Sequence, residues 1–540
     1  MRLIKISEKW GCAIFMISLS CIAASHAWQF RFASIDDAYI TYRYADNIAH
    51  GLGYVFNPGQ RVEGTSTFLF TLLLAIPGLV GANIEWAARC IGIISFLALV
   101  CVVFNYLRAA IHTRLGYGLA AAAALMVATS TSLAFHAALG MELLLYISLL
   151  TAGVLGYLRH AKDSTLGRHW MLWLALAGAT RTEAFFIAFS LLGCIAIRHA
   201  IDLTTTRADK PALRSVLSAL ARPTVELAAV LLPVLAFRRF YFGAWAPNSV
   251  TAKSGYFNEI LALPFADAYR RISMDQGVKM LNQFGTERLG YLLLLIPLGW
   301  LSSQYRRQTS IFVIVGAILT AVAIWNNGDW MPHSRLLAPL IPLVGVAMAT
   351  SIAQVGVWVK PRQVATSMQL ILGLAIFAYG IDHAFYERTF AHTPNPVAEY
   401  MIELGKGLRS AHVSSEVLAT DMAGRVPYFS GVRTIDMFGL CDTYIAHHGK
   451  PVLHMGKTDD PYVYRMRPDY YFYNFAFSVR GMINSQDFRP YANDYWVVMT
   501  PFAAKPANRV GKILLARKNL PRLAELVTRL NAKLVDPKTL

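Results

Sequence analysis

Ser34-Ile35-Asp36-Asp37-Ala38-Tyr39, with the run that follows it to Thr67, stands directly after a hydrophobic stretch from Gly11 to Trp28 that is long enough to cross a bilayer as a helix. Two adjacent carboxylates in that position direct attention to chemistry at a membrane surface. The flank before the stretch is basic (Arg2, Lys5, Lys9), so it reads as a first span entering from the cytoplasm, with residue 30 emerging on the outer side. Ser25-His26-Ala27 also has the form of a signal-peptidase site, the alternative in which this segment is removed.

Composition extends this reading to the whole chain. Of 540 residues, 55% are hydrophobic and only 15% charged, and the mean hydropathy is +0.42, which points to many membrane spans rather than one globular core. The net charge of +18 would suggest nucleic acid in a soluble protein, but here much of it lies in short loops between apolar segments, where basic residues orient spans toward the cytoplasm. No nucleotide-binding motif is present and no nucleic-acid partner is expected. Five of the six cysteines (Cys12, Cys21, Cys90, Cys101, Cys194) fall in hydrophobic segments and only Cys441 in a polar one, so neither a disulfide framework nor a thiolate metal site is indicated.

The apolar run Phe68 to Val80 is too short to cross and contains Pro77 and Gly78; read as an interfacial helix within the outer loop 28–87, it returns Arg108, His112 and Arg114 to the cytoplasmic side. Further spans are expected at 88–107, 117–133, 142–158, 171–180, 184–197, 224–240, 289–303, 310–325, 336–357 and 366–382, about eleven with the first. The basic stretches Arg159 to Arg168, Arg198 to Arg222, Arg306-Arg307 and Lys360 to Arg362 then all face the cytoplasm. The two segments beside Arg181 are short and read as a bent pair. The expected division is a membrane domain, 1–382, carrying the Asp-Asp loop, and an outer α/β domain, 383–540. In the latter, Ser415 to Thr420 reads as a strand followed by a turn at Asp421 to Gly424, and Pro506 to Lys518 as a strand before a final Leu-periodic helix.

A carboxylate pair just outside a membrane suits a reaction whose lipid-linked substrate stays in the bilayer, and sugar transfer meets that demand. A polyprenyl phosphate leaves without protonation at neutral pH, so the enzyme needs one carboxylate as base for the acceptor hydroxyl and cations for the phosphate. Asp36 or Asp37 is the candidate base, and Arg43, Arg61 and Glu63, with Tyr39, Tyr42, Tyr44 and Tyr54, give the loop charge and flat surfaces suited to a sugar. The competing reading is that Asp36-Asp37 caps the helix Ala38 to His50.

These residues also carry a resemblance. Asp36 to Tyr44, Gly51 to Gly59 and Val62 to Thr65 resemble the first outer loop of bacterial GT-C fold glycosyltransferases, and within them those similar to the terminal arabinofuranosyltransferase of mycobacterial cell-wall arabinan. The resemblance recurs at Gly140-Met141-Glu142, Arg181-Thr182-Glu183, Arg238 to Gly243, Pro247-Asn248, Lys253, Gly328-Asp329-Trp330-Met331-Pro332, Arg335, Pro339 and Asp421 to Asp442. It implies an inverting transfer from a polyprenyl-phosphate sugar, arabinofuranose first, to a cell-surface glycan, glycolipid or pilin-like acceptor, at the outer face of the bacterial inner membrane. It implies Asp36 as base and Asp37 as a supporting or acceptor-binding group. The family usually has Arg-Pro-Glu-Gly where this chain has Arg181-Thr182-Glu183-Ala184, and Gly-Gly-Asp-Trp where it has Asn327-Gly328-Asp329-Trp330, departures that bear on the sugar more than on the fold.

Ionisable residues at span ends are candidates by location alone: Glu142, Arg181 and Glu183 form one such group, with a structural ion pair as the alternative. Arg238, Arg239 and Lys253 sit where they could take the donor phosphate or reach anionic headgroups of the surrounding lipids. Asp329, Trp330 and Arg335 combine a carboxylate, an aromatic face and a fork-shaped cation, and Arg335 is the first phosphate candidate. His333 has no second ligand at metal spacing, and a divalent cation at Asp36 or Asp37 is left open. Asp421, Gly424, Tyr428, Asp436 and Asp442 match no phosphate loop or triad and are expected to shape the domain or touch the acceptor. A transporter or flippase for a lipid-linked sugar is the alternative class, but it would show an internal repeat, and the Asp-Asp loop occurs once.

Overall fold

The computed structural model describes residues 2–112, 115–159, 165–205, 212–254, 259–285, 296–359, 362–386, 395–411, 415–452, 455–473, 483, 485–503 and 512–537. The chain forms two compact units: Met1–Ala33, Trp86–Ala236 and Pro264–Thr393 make the first, and Ser34–Glu85, Phe237–Leu263 and Pro394–Leu540 the second.

The first unit is helical. Among the described residues the chain has five helices long and apolar enough to cross a membrane: Gly11–Gln29, Ile84–Ala110, Glu183–Ile201, Val216–Phe242 and Arg306–Trp325. Gly116–Ala128 and Thr131–Ala138 form a further pair bent by 50°, because Ser130 accepts the Leu133 N–H and starts a new helix. Leu143–Arg159, Trp170–Thr180 and Leu340–Val355 are apolar but shorter. The chain is thus a multi-pass membrane protein. Of the expected span at 289–303, residues 289–295 lie outside the described residues, and 296–303 form a short 3-10 helix and turns rather than a continuous helix. At Arg181-Thr182 the chain breaks as expected, but the second segment is longer than its apolar part, with Glu183–Thr205 helical throughout.

Small residues let these helices approach. A Cβ at Gly92 would meet the Ala137 carbonyl oxygen at 2.3 Å, and one at Gly153 would meet the Leu174 side chain at 2.6 Å. The core around them is alanine-rich, with Ala120, Ala123, Ala124, Ala134 and Ala137 fully buried.

The second unit joins the Asp-Asp loop to a sheet built by the C-terminal segment. Its strands are β1 (Val417–Thr420), β2 (Arg433–Asp436), β3 (Lys450–Val452), β4 (Gly456–Thr458), β5 (Tyr470–Tyr473), β6 (Tyr495–Met499), β7 (Ile513–Arg517) and β8 (Lys533–Val535). Six of them order as β2-β1-β5-β7-β6-β8, with β1 parallel to β2 and β5 and the remaining neighbours antiparallel; β3 and β4 form a separate antiparallel pair. Alternation sends Tyr471, Leu515 and Val497 into one apolar layer and Tyr470, Phe472, Leu514 and Val498 into the other, so the sheet is covered on both faces. The expected α/β character is present. β1 starts two residues later than expected, the part of the expected strand at 506–511 lies outside the described residues, and the chain adds β8 after its last helix, Leu523–Arg529.

The loop is stitched into this sheet by Arg43 and Asn57. The Arg43 guanidinium, 5% exposed, donates to Phe56 O (2.7 Å), Pro427 O (2.6 Å), Val432 O (2.9 Å) and Asn57 Oδ1 (3.3 Å). Asn57 extends β2 like an extra strand residue, accepting the Thr434 N–H at 2.9 Å and donating to the Thr434 carbonyl at 2.8 Å. Burial brings the Arg43 pKa down to about 10, so it is charged at neutral pH. An ammonium at this place has too few donors and no fork to serve four acceptors. Arg43→Lys is therefore expected to destabilise the second unit by about 3 kcal/mol, read as a lowered melting temperature. An unchanged melting temperature would show that these carbonyls are satisfied without the fork.

Candidate active site

The helix Asp36–Ala49 begins the second unit, and its first residue is not used as a cap: Ile35 occupies the N-cap position and no side-chain cap bond forms. Asp36 instead turns to the loop that follows β1. Its Oδ2 accepts the Gly424 N–H and its Oδ1 the Arg425 N–H, each at 2.8 Å, and it is 4% exposed. That loop leaves the carboxyl end of a parallel strand, beside the point where the chain goes from β1 to β2 on one side and later returns to β5 on the other, the usual place for a site in an open α/β sheet. Burial pushes the Asp36 carboxyl up, and the Arg425 guanidinium and the two backbone N–H groups pull it partly back. Asp37, on the next turn position, is half-buried.

Aromatic rings enclose this corner. Tyr39 packs against Tyr42 (5.0 Å between ring centroids), Tyr428 (5.6 Å) and Phe429 (5.6 Å), and its hydroxyl donates to Glu85 at 2.8 Å. The Arg425 guanidinium lies 4.9 Å over the Tyr39 ring and donates to Ser34 Oγ at 2.7 Å.

Behind it, several sequence candidates serve as struts. Arg238, at the start of the π-turn Arg238–Phe242, donates Nε to both Glu63 oxygens (3.1 and 2.9 Å), and both partners are buried. Burial pushes the Glu63 carboxyl up while Arg238 pulls it down. Asn248 donates its backbone N–H to Glu63 O at 2.9 Å and its amide to Gly439 O and Leu440 O at 2.9 and 3.0 Å. Lys253 ends the helix Asn248–Lys253, half-buried. Arg61 sits 4.7 Å over the Tyr241 ring. Asp436 accepts the N–H groups of Phe438 and Cys441, and burial raises its pKa to about 6; Asp442 caps the helix Thr443–His448 through the Ile445 N–H. Both shape the loop after β2, as expected.

In the first unit, Arg181 bridges the two carboxylates the sequence set beside it, donating Nη1 to Glu142 at 2.9 Å and Nε to Glu183 at 2.6 Å. Glu142 Oε2 is buried with no hydrogen-bond partner among the described residues. Arg335 grips Asp329 with Nε (2.6 Å) and Nη2 (3.2 Å), in a turn where Asn327, His333 and Ser334 take positive φ. Trp330 in the same turn is 43% exposed. His333 accepts from Ser132 through its carbonyl and packs on Phe135. No group of three metal-ligating side chains occurs among the described residues, and each Asp36 oxygen accepts one backbone N–H. Sequence reasoning gave Arg425 no role, although it lies in the Asp421 to Asp442 stretch, 389 residues from Asp36.

A family model described as a domain of unknown function, DUF8728, matches residues 393–518. The terminal beta-(1->2)-arabinofuranosyltransferase of Mycobacterium tuberculosis is 26% identical over 361 residues, 59% of this chain and 52% of that protein, so the chain spans about half the length of this curated relative. Among solved structures, the Archaeoglobus fulgidus oligosaccharyltransferase superposes with a TM-score of 0.56 at 13% identity, covering 93% of this chain and 73% of that one. ArnT from Cupriavidus metallidurans in the apo state gives 0.52 at 12% identity, covering 96% and 99%. At these identities the likeness is one of fold: the chain has several apolar helices and a C-terminal sheet domain and resembles GT-C enzymes.

Proposed function

We propose that the protein is an inverting glycosyltransferase that moves a sugar, arabinofuranose first, from a polyprenyl-phosphate donor to a cell-surface glycan, glycolipid or pilin-like acceptor. On this reading it works at the outer face of the bacterial inner membrane, with residues 1–382 as the membrane catalytic domain and 383–540 as the outer domain. The observation that carries it is the Asp36-Asp37 pair of the second unit, with one carboxylate buried and fixed by the loop after β1. The GT-C fold and the arabinofuranosyltransferase relative support the reaction class and the choice of sugar.

In the reaction, the acceptor oxygen attacks the anomeric carbon from the face opposite the phosphate. The carbon–oxygen bond to the phosphate breaks, its electron pair stays on the phosphate oxygen, and the hydroxyl proton passes to Asp36. Asp37 supports or orients the acceptor. Arg335 is the first candidate for the phosphate: Asp329 holds its Nε and Nη2, and Nη1 makes no hydrogen bond among the described residues. Arg181, Arg238 and Lys253 are the alternatives, of which Arg238 is the most fully committed, both it and Glu63 being buried.

The test of the function is purified protein with a panel of polyprenyl-phosphate sugars, read as release of the free lipid phosphate; no release from any donor would overturn it. Asp36→Asn keeps the shape, accepts no proton, and is expected to abolish transfer while the protein stays folded. Normal turnover in this variant would sink the base assignment. Because burial raises the Asp36 pKa, and a base works only when ionised, activity is expected to fall with acid at a higher pH than an ordinary carboxylate gives, read from the acid limb of kcat/KM.

Arg335→Lys keeps the charge and loses the fork. Loss of a charge-assisted contact of about 1.5–3 kcal/mol corresponds to roughly ten- to a hundred-fold weaker donor binding, with the melting temperature little changed. Unchanged donor affinity with a large fall in melting temperature would assign Arg335 to the scaffold through Asp329.

A further inference from the structure

Arg425 lies within the Asp421 to Asp442 stretch but is given no role by the sequence, yet it reaches the Asp36 carboxylate twice. Its backbone N–H donates to Oδ1 at 2.8 Å, and its Nη1 stands 3.8 Å from the same oxygen. The side chain is 3% exposed, and besides Asp36 it meets Ser34 Oγ and the face of Tyr39. Its Nε is buried with no hydrogen-bond partner among the described residues. Arg43, the scaffold arginine of the same unit, places its fork on four acceptors. A buried guanidinium that leaves a donor unused is a poor structural device, since the unmade bond costs free energy that a well-packed apolar side chain would not. Its placement makes sense as service to the charge of Asp36.

The other ionisable groups around this carboxylate do not supply that service. Asp37 adjoins it on the same helix and adds negative charge, and Glu85 is tied to the Tyr39 hydroxyl. Among the described residues, Arg425 is the cation that acts on Asp36, opposing the effect of burial.

We infer that Arg425 is a positioning residue of the transfer reaction, brought from the C-terminal segment to keep the Asp36 carboxylate ionised and turned for proton acceptance, with no part in holding the lipid donor. This rests on Asp36 being the base. Arginine fits because it stays charged in a buried place and can use the aromatic face of Tyr39 and the Ser34 hydroxyl while leaving the carboxylate lone pairs open to the acceptor.

The experiment compares full-length Arg425→Gln and Arg425→Lys with the unmodified chain, using the donor that turns over in the panel. Expected for Arg425→Gln is a fall in kcat of about ten- to a hundred-fold with donor KM unchanged, and an acid limb of kcat/KM moved up by about one pH unit or more, the usual effect of removing an opposite charge. Arg425→Lys keeps the limb in place and loses about threefold in kcat. An unmoved limb in Arg425→Gln, or a loss confined to donor KM, overturns the inference. If Arg425→Gln does not fold, Arg425→Lys decides: lowered kcat at constant donor KM supports the role, and raised donor KM at constant kcat removes it. Failure of the base reading appears separately, as normal turnover by Asp36→Asn.

Discussion

A carboxylate taken out of water must be met by N–H groups, and the Asp36 carboxylate is met by two that lie 388 and 389 residues away in the chain. The second unit depends on that requirement. The Gly424 and Arg425 N–H groups are available because β1 ends just before them and the helix Arg425–Ser430 just begins. The approach is so close that a Cβ at position 424 would lie 1.9 Å from the Asp36 carbonyl oxygen, which restricts the position to glycine. With the two backbones in contact, the helix Asp36–Ala49 lies along the edge where Arg43 and Asn57 can complete the hydrogen bonding of residues 427–434.

The same constraint explains why the C-terminal segment is more than an appended domain. The loops after β1 and β2 both turn toward the Asp-Asp loop, the first through Gly424 and Arg425, the second through Leu440 and Cys441, where a Cβ on Gly64 would meet Cys441 Sγ at 2.3 Å. Asn248, from a third stretch of chain, holds the second of these loops by its carbonyls. Three segments distant in sequence thus meet around the Asp-Asp loop.

The fold class was legible because hydropathy is a local property: each apolar stretch declares itself within a window of its own length, and the tail declares itself by lacking one. The Asp-Asp loop was legible for the same reason. What sequence could not supply was pairing. Asp36-Asp37 at a helix start reads as a cap, and the cap is absent because the carboxylate finds better donors across the fold. Arg43 and Glu63 read as sugar-binding groups and Arg238 as a phosphate ligand from their chemistry, while the sequence does not show their partners in the fold, Val432, Arg238 and Glu63. Arg425 stood in the Asp421 to Asp442 stretch without a role of its own, since an arginine after a glycine is unremarkable until Asp36 is beside it. β8 escaped for a simpler reason: three residues are too few to display a period.

On the proposed reading, the pairing of the arginines also bears on turnover. The donor is a phosphodiester with one negative charge, and the product is a phosphomonoester with roughly 1.5–2 at neutral pH. A site of bare arginines would therefore hold the product more tightly than the substrate and slow its release. Arg335 with Asp329 is instead an oriented fork whose charge is already balanced, and Arg181 is more than balanced by the two carboxylates of Glu142 and Glu183. Such forks direct hydrogen bonds at phosphate oxygens without a large net attraction, leaving affinity for the donor to its sugar and its lipid chain, which the product retains only in part.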